Sequence, residues 1–217
     1  KLLSYTDCVF HENVEEMAGK WHERFGNENP IHIEVGTGKG QFITTLAELN
    51  PDKNYIAMEI KEEVLLHAVY KAKVQLGVIY YAAKKIFEGE RDNAKVCLFD
   101  IAGIEEVVEP GEVDRFYINF CDPWPKNRWA KRRLTHSDFL NIYRRVLDEN
   151  GEIHFKTDNE KLFEFSLNEI AENDWKLKNI SLDLANSNYE ENVTTEYEDK
   201  FMAQGMKIYR LEAAKRK

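Results

Sequence analysis

The stretch Ile31-His32-Ile33-Glu34-Val35-Gly36-Thr37-Gly38-Lys39-Gly40 decides the fold of this chain. Its first five residues alternate isoleucine or valine with polar side chains, and they predict a strand buried in a sheet. The three glycines at alternate positions predict a tight turn that lets a ligand lie close against the backbone. A helix is then predicted from Gly40 to Asn50, where Pro51 ends it. This succession of strand, glycine turn and helix is typical of the ligand-binding edge of an α/β sheet.

The rest of the chain repeats the alternation of strands and helices. Further strands are predicted at residues 54–59, 95–99, 115–120 and 152–156, and near 175–184 and 206–211. Helices are predicted at residues 61–75, 137–147 and 160–172. Strands that are separated by helices indicate a Rossmann-like, doubly wound sheet that is mostly parallel. The last two strands have little predicted helix between them, and they indicate an antiparallel hairpin at one edge.

The composition agrees with a single α/β domain over residues 1–217. The chain is 43% hydrophobic and 32% charged, which is typical of a soluble globular protein. No apolar run approaches the roughly 20 residues that a membrane span needs. The three cysteines form no CxxC pair and the six histidines show no ligand spacing, so we expect no metal and a reducing, cytoplasmic location. Segment 77–93 is longer than a helix–strand connection requires, and we expect it to be an insertion with a helix of its own.

Acidic residues stand at or near the ends of the first four predicted strands. They are Glu34, Glu59, Asp100 and Asp122. Because ligands bind outside the carboxyl ends of the strands in an open α/β sheet, we expect these carboxylates to line one site. Glu59 is expected to accept hydrogen bonds from both hydroxyls of a ribose. Asp100 is expected to accept from an adenine amino group, and Glu34 from an ammonium group.

The glycine turn excludes two common nucleotide sites. Gln41 stands where a dinucleotide fingerprint needs glycine, which opposes a nucleotide-dependent dehydrogenase. Gly38-Lys39-Gly40 also lacks the serine or threonine that ends a phosphate-binding Walker loop. An acidic site without phosphate contacts favours a cationic nucleoside such as S-adenosylmethionine as the cofactor. The simpler interpretation, in which the glycines only make a turn and the acids are solvated strand ends, stays open.

Segment 121–134 joins a stiff carboxylate-bearing turn to a dense cationic stretch. The turn is Cys121-Asp122-Pro123-Trp124-Pro125, and the stretch after it carries Lys126, Arg128, Lys131, Arg132 and Arg133 without an acidic residue between them. The whole chain has a formal net charge of −9, so this positive charge is a local concentration. It indicates a contact with a polyanion beside a reaction site. A solvated helix face explains the same charges equally well.

Several of these motifs resemble those of known enzymes. Glu34-Val35-Gly36-Thr37-Gly38-Lys39-Gly40 resembles the first motif of class I S-adenosylmethionine-dependent methyltransferases. The stretches at 122–126, 131–134, 155–159 and 195–201 are similar to the tRNA (guanine-N7-)-methyltransferase family, over about Trp21 to Glu212. The resemblance implies the Rossmann-like class I methyltransferase fold. It also implies methylation of N7 of a guanine in the variable loop of tRNA.

The resemblance further implies roles for individual residues. Asp122 would be the catalytic residue. The cofactor would be bound by Glu34, Gly36, Gly38, Gly40, Glu59, Asp100 and Asp122. The substrate nucleotide would be held by Lys126, Asp158, Thr195, Glu196, Tyr197 and Glu198. The tRNA would lie along Arg128, Lys131, Arg132 and Arg133. No metal and no membrane are implied, and the sequence has no feature that decides between a monomer and a homodimer.

Other interpretations of the same residues stay open. Thr157 and Glu160, like Thr195 and Glu198, have the spacing of a helix-capping box. Trp124 could stack on a base or belong to the core, and Cys121 could be a nucleophile. Two other functions are also considered. One is methylation of an exocyclic amine in a nucleic acid, since an Asp-Pro-aromatic turn also serves that reaction, and the other is a non-catalytic RNA-binding module.

Overall fold

The computed structural model of the chain describes residues 9, 10, 12–60 and 80–216. The chain divides into two compact units, Lys1–Glu109 and Pro110–Lys217. The helix predicted at 61–75 and the start of segment 77–93 lie outside the described residues. Among the residues that are described, no helix is both long enough and apolar enough to span a bilayer.

The first unit is built on four parallel strands. They are β1 (Val9–Phe10), β2 (Ile31–Val35), β3 (Asn54–Glu59) and β4 (Ala94–Leu98), in the spatial order β1-β4-β3-β2. Its helices are α1 (Trp21–Phe25), α2 (Gln41–Leu49) and α3 (residues 80–88). Trp21 is completely buried, and its indole Nε1 donates to the carbonyl of Val107 at 2.7 Å. Strands β2, β3 and β4 carry most of the buried aliphatic side chains of this unit.

The register of these strands aligns their carboxyl ends. Val35 pairs with Met58, and Met58 pairs with Cys97. The ladder continues past the strands, because Gly36 N donates to Met58 O at 2.8 Å and Phe99 N donates to Glu59 O at 3.0 Å. The glycine turn, Glu59 and the residues that follow β4 therefore meet at one edge of the sheet.

The second unit combines parallel and antiparallel strands. In chain order its elements are β5 (Val113–Asn119), α4 (Ser137–Val146), β6 (Leu147–Thr157), α5 (Glu160–Glu172), β7 (Trp175–Ser181), α6 (Glu196–Ala203) and β8 (Tyr209–Lys215). The spatial order is β5-β6-β8-β7, in which β5 and β6 are parallel and β8 is antiparallel to both of its neighbours. Helices α4 and α5 cover an apolar face, where Phe116 packs on Tyr143 at 4.7 Å between ring centroids.

Most elements agree with the sequence predictions. The bounds of β2, β3 and α5 are those predicted, and residues 80–88 supply the helix that was expected within segment 77–93. The parallel pairing and the antiparallel hairpin are confirmed. The expectation of little helix between the last two strands is wrong, because α6 lies there. The strand predicted at 206–211 lies further along the chain, as β8 at Tyr209–Lys215. Its Arg210 and Glu212 form a buried ion pair, and these charged residues interrupt the apolar pattern from which a strand is predicted.

Candidate active site

In the glycine turn of the first unit, two of the three glycines have open space where a side chain would lie. Gly36, Gly38 and Gly40 all have positive φ, at 76°, 55° and 79°. A β-carbon added at Gly36 or Gly38 would meet no atom of the described residues within 4 Å, whereas one added at Gly40 would lie 2.7 Å from Cβ of Ala82. Gly36 and Gly38 therefore leave room for a ligand against the backbone, and Gly40 allows α3 to pack closely.

Two carboxylates brace this turn. Glu34 is 1% exposed, and its Oε2 accepts from Oγ1 of Thr37 at 2.7 Å. Glu59 is half-buried, and its Oε2 accepts from the backbone N of Gly38 at 3.3 Å. The structure thus brings Glu34, Gly38 and Glu59 together, and the ribose contact expected for Glu59 stays a prediction. The buried position of Glu34 also gives it a supporting role in the turn that the sequence analysis did not assign.

Asp100 lies at the same edge of the first unit, next to the end of β3. It is exposed, and its Oδ1 accepts from Ala102 N at 2.9 Å, which caps a short 3₁₀-helix at Ile101–Glu106. Of the four acids expected to line one site, Glu34, Glu59 and Asp100 lie at this edge of the first unit, where the register of β2, β3 and β4 places the strand ends. That Asp122 joins them stays a prediction.

In the second unit, the Asp122 turn follows β5 and is held in a strained conformation. Phe120 and Trp124, on either side of Asp122, have positive φ values of 52° and 40°. Such values cost free energy for residues other than glycine, and they persist only where the surroundings enforce them. One such restraint is visible at the start of the turn, where Phe120 N donates to Lys156 O at 2.9 Å. Asp122 itself is exposed.

The cationic stretch forms a cluster with two tryptophans, which we call the Trp–cation cluster. Its members are Trp124, Lys126, Arg128, Trp129 and Arg132. The Arg132 guanidinium lies 3.9 Å from the centroid of the Trp124 ring, and the cations of Lys126 and Arg128 lie 4.8 Å and 5.2 Å from that of Trp129. The two indoles meet edge-to-face at 5.9 Å. The cationic side chains are exposed, so the cluster presents positive charge to solvent beside the Asp122 turn.

Arg133 differs from its neighbours in the cationic stretch. It is 9% exposed, and its guanidinium stacks on Phe165 at 4.3 Å. Its Nη2 donates to Trp124 O at 3.0 Å and its Nε to Pro123 O at 3.2 Å. Arg133 therefore stabilises the Asp122 turn through hydrogen bonds to its backbone carbonyls. The RNA contact expected for Arg133 stays a prediction, and the burial of this side chain sets it apart from the exposed Arg128, Lys131 and Arg132.

The residues after β6 meet the Asp122 turn at the carboxyl end of the second unit's parallel strands. Asn119 pairs with Lys156, so the turn lies beside Thr157 and Asp158. Asp158 is half-buried. The cap of α5 is Asn159, whose side chain accepts from Leu162 N at 2.9 Å, and not Thr157 as the capping-box spacing suggested. Thr157 instead accepts from Asn159 N, which leaves the Asp158 carboxylate out of the cap.

The segment Thr195–Glu198 begins α6. Thr195 is the helix cap, since its Oγ1 accepts from Glu198 N at 3.0 Å, and this confirms the capping interpretation. Tyr197 is 58% exposed, whereas Glu198 is completely buried. The Glu198 carboxylate does not complete the capping box. It accepts instead from Nζ of Lys156 at 2.6 Å and from Nδ2 of Asn192 at 2.6 Å.

Sequence reasoning missed Lys156 and Asn192 as parts of this site. Lys156 is 5% exposed and stands at the end of a strand whose neighbouring residues are largely apolar. A lysine in such a position is rarely fully buried unless it is paired. That signal could have marked Lys156, but nothing in the sequence indicates that its partner would be Glu198, on a helix that was not predicted.

Cys121 has no features of a nucleophile. Burial and the neighbouring Asp122 carboxylate raise the pKa of its thiol to about 12, so the thiolate is scarce at neutral pH. Since the thiolate is the reactive form, the structure opposes a covalent mechanism through this residue. The pKa of the Cys97 thiol is also raised to about 12, mainly by burial.

Among the described residues, one group of three side chains has the proximity of metal ligands. Glu152, His154 and Glu212 place their ligand atoms within 4.8 Å of one another. Glu152 also pairs with Arg115 at 2.6 Å and with Lys178 at 2.7 Å, and Glu212 pairs with Arg210. Burial lowers the pKa of His154. The adjacent His154 ring, 3.2 Å from the Glu152 carboxylate, together with Lys178 holds the pKa of Glu152 well below its usual range. These cations already neutralise the carboxylates, so the group is a salt-bridge network.

Comparison with known proteins identifies the family. A family model described as "Putative methyltransferase" matches residues 28–211. The tRNA (guanine-N(7)-)-methyltransferase of Clostridioides difficile strain 630 is 62% identical to this chain, over 100% of the chain and 94% of that protein. The chain belongs to the tRNA (guanine-N7-)-methyltransferase family. The resemblance of the 122–126 and 155–159 motifs is thereby confirmed.

Solved structures confirm the fold of this family member. The 16S rRNA methyltransferase KamB matches with a TM-score of 0.63 at 13% sequence identity, covering 97% of this chain and 99% of that one. A 16S rRNA adenine N1-methyltransferase variant from Catenulisporales acidiphilia, solved with the cosubstrate SAM, matches with a TM-score of 0.54 at 11% identity, over 100% and 92% of the two chains. The family member therefore has the Rossmann-like class I methyltransferase fold that its motifs implied.

Proposed function

We propose that this protein transfers a methyl group from S-adenosylmethionine to N7 of a guanine in the variable loop of tRNA. The observation that carries the proposal is the Asp122 turn, in which an exposed carboxylate lies between two strained residues and beside the Trp–cation cluster. Strain of this kind is concentrated at functional sites, and exposed cations beside it suit a polyanionic substrate. Family membership gives the substrate class and the position of the methyl group.

The first unit fits S-adenosylmethionine. The open space at Gly36 and Gly38 is the space that a side chain would fill, and a nucleoside fits against this exposed backbone. Glu59 is placed for the ribose hydroxyls, and Asp100 for the adenine amino group. Glu34 supports the turn and adds negative charge beneath it, which suits the cationic sulfonium and the ammonium of the cofactor. When bound, the cofactor supplies an electrophilic methyl group.

The reaction itself needs little from the protein besides placement and charge. Guanine N7 has a lone pair and no proton, so no general base is required. Positive charge moves onto the purine as the methyl group is transferred, and a fixed carboxylate stabilises that charge. We assign this role to Asp122, whose turn is stiffened by Pro123 and Pro125 and fastened by Arg133. Preorganisation of this kind is the main source of rate in such a transfer.

Recognition of the guanine and of the tRNA uses separate groups. We assign Asp158 to the N1 or N2 protons of guanine, Lys126 to a phosphate or a guanine acceptor, and Glu196 with the exposed Tyr197 to the wall of the base pocket. Arg128, Lys131 and Arg132 neutralise phosphates and position the RNA by its shape. Arg132 covers one face of the Trp124 ring, so a base that stacks on that face would have to displace the guanidinium.

The location and partners follow from this function. The tRNA substrate and the free thiols of Cys97 and Cys121 suit the cytoplasm. No metal enters the proposed reaction. Whether the chain acts as a monomer or a homodimer does not alter the roles assigned above.

The deciding experiment is methylation of an unmodified tRNA transcript with methyl-labelled S-adenosylmethionine, followed by nucleoside analysis. We expect 7-methylguanosine, located in the variable loop by the chain cleavage that this base permits. A matched transcript with adenine in place of that guanine is the control and should remain unlabelled. A label on an exocyclic amine, or equal labelling of the control, would contradict the proposal.

Calorimetry with S-adenosylmethionine tests the cofactor assignment separately. The wild-type protein should bind, and Glu59→Ala should bind about 10- to 100-fold more weakly, because a charge-assisted hydrogen bond contributes about 1.5–3 kcal/mol. Normal binding by Glu59→Ala would remove Glu59 from the cofactor site.

A further inference from the structure

Both carboxylate oxygens of Glu198 accept hydrogen bonds from other parts of the protein. Glu198 is 0% exposed, its Oε2 accepts from Lys156 Nζ and its Oε1 accepts from Asn192 Nδ2, both at 2.6 Å. Its backbone N is used as well, by Thr195 at 3.0 Å. A guanine could use this carboxylate only if the pair with Lys156 opened. A buried charge that loses its partner is costly, so the closed arrangement is strongly favoured.

Lys156 is held just as completely. An ammonium group has three donor protons, and Nζ has three acceptors here. They are Oε2 of Glu198 at 2.6 Å, the carbonyl of Val193 at 2.8 Å and Oδ1 of Asn192 at 3.2 Å. The side chain of Lys156 therefore fixes both ends of segment 192–198. This segment is a short loop followed by the first turn of α6, and we call it loop 192–198. This loop carries Thr195, Glu196 and Tyr197 between its fixed ends.

The backbone of Lys156 holds the other half of the site. Its carbonyl accepts from Phe120 N, at the start of the Asp122 turn, and Asp158 follows two residues later. The ring of Phe120 also packs against Phe201 of α6 at 6.0 Å between centroids. One residue thus links the Asp122 turn, Asp158 and loop 192–198 inside the second unit.

We propose that Lys156 and Glu198 form a buried positioning pair, which fixes loop 192–198 relative to the Asp122 turn and makes no contact with guanine. This inference rests on the proposed methyl transfer to tRNA guanine. It assigns base recognition within the loop to Glu196 and to the exposed Tyr197, together with Asp158. It also predicts that Asn192 belongs to the same network, which no motif indicated.

The primary experiment compares Lys156→Met, Glu198→Gln and the double variant in steady-state methylation of tRNA. Each single variant should lower kcat about 100-fold, because a displacement of about 1 Å near the reacting groups has that effect. The double variant should be no worse than either single one, since the two residues act as a unit. S-adenosylmethionine affinity, measured by calorimetry, should stay unchanged because the pair lies outside the glycine turn.

Glu152→Gln is the matched control. Glu152 lies on the same strand, β6, and its ion pair with Arg115 has the same 2.6 Å length as that of Lys156 with Glu198. Its loss should reduce stability without a specific loss of kcat. If the positioning variants and Glu152→Gln lose activity only in proportion to their unfolding midpoints, the pair is structural and the inference is overturned.

A substrate substitution separates positioning from direct contact. Inosine lacks the N2 amino group of guanine, and 2-aminopurine lacks its N1 proton. The preference for guanine over each analogue at the target position should be the same in wild type and Glu198→Gln if Glu198 only positions the loop. A preference that collapses in Glu198→Gln would show that Glu198 touches the base, and would overturn the inference.

One further variant keeps the test valid if the single variants fail to fold. Lys156→Met with Glu198→Leu replaces the pair by apolar side chains, which is often tolerated in a buried site. It should unfold normally and still show a low kcat, because nothing then holds Asn192 and Val193. Wild-type kcat in this variant would overturn the inference. A wild-type protein that does not methylate tRNA guanine at all would instead refute the proposed function, whatever the variants do.

Discussion

The glycine turn of the first unit and the Asp122 turn of the second both follow a buried parallel strand, yet they are shaped by different means. At Gly36, Gly38 and Gly40 the left-handed backbone costs little, because glycine has no β-carbon. At Phe120 and Trp124 the same backbone region is strained, and hydrogen bonds to Lys156 and Arg133 hold it. The conformation of the first turn is therefore determined by its local sequence, whereas that of the second depends on tertiary contacts.

This difference suits the tasks that we propose for the two turns. A cofactor needs open backbone to lie against, and glycine supplies it without further support. A catalytic carboxylate needs a fixed position, and several contacts from behind supply that better than one flexible residue. The predictions below test this contrast, beginning with the largest expected effect.

Asp122→Ala should lower kcat about 100- to 1000-fold, since it removes the charge that stabilises the developing positive purine. Affinity for tRNA and for S-adenosylmethionine should change little, which single-turnover kinetics and binding measurements can establish. Asp122→Asn is the matched variant that keeps the shape of the side chain, and it should be nearly as slow. Near-normal turnover by Asp122→Asn would mean that the turn matters for its shape and not for its charge.

Arg133→Met should lower the free energy of unfolding by about 1.5–3 kcal/mol, because the carbonyls of Pro123 and Trp124 lose a charged donor. The variant should also lower kcat, since the Asp122 turn is then free to relax. Denaturant unfolding and methylation rates measure the two effects. An unchanged unfolding curve together with weaker tRNA binding would mean that Arg133 contacts the RNA, as the family resemblance implied, and does not stabilise the Asp122 turn.

The glycines should respond to alanine in a graded way. Gly36→Ala puts a β-carbon into open space, and its cost should be the roughly 1–2 kcal/mol of the left-handed backbone. Gly40→Ala adds a contact of 2.7 Å with Cβ of Ala82, so it should be the more destabilising of the two in thermal unfolding. Gly36→Ala should in turn be the one that weakens cofactor binding. The reverse order would mean that the open face of the turn is not where the cofactor lies.

Arg132→Met should have the smallest effect. Arg132 is exposed, so the unfolding free energy should stay the same, and tRNA binding should weaken with a decrease of about 1 in the slope of log K against log salt. Titrations at several salt concentrations measure this slope. If Arg132→Met leaves the slope unchanged and Arg133→Met lowers it, then Arg133 and not Arg132 is the residue that contacts phosphate.

The sequence predicted the first unit's edge well because its signals are local. Alternating Ile31, Ile33 and Val35, followed by spaced glycines, define a strand and a turn within ten residues. The acids at the ends of β2 and β3 could be placed because parallel register aligns them. No long-range contact was needed for any of these predictions.

Prediction was weaker in the second unit because its arrangement depends on distant partners. Arg132 and Arg133 are adjacent and chemically identical, yet one faces solvent and the other is buried against Phe165. The sequence pattern predicted that Glu198 completes a capping box or contacts guanine, and it did not indicate that Glu198 pairs with Lys156, far away in the chain. Nothing local distinguishes these alternatives, since each is decided by what packs behind the residue.

The stacking of cations on indole rings in the Trp–cation cluster gives the enzyme a built-in optical reporter. The chain has four tryptophans, and Trp21 and Trp175 are 0% and 1% exposed, so their emission should be insensitive to what binds at the surface. Trp124 and Trp129 are half-buried and are covered by the side chains that we expect to move onto phosphates. Intrinsic fluorescence should therefore follow tRNA docking in real time, without any label.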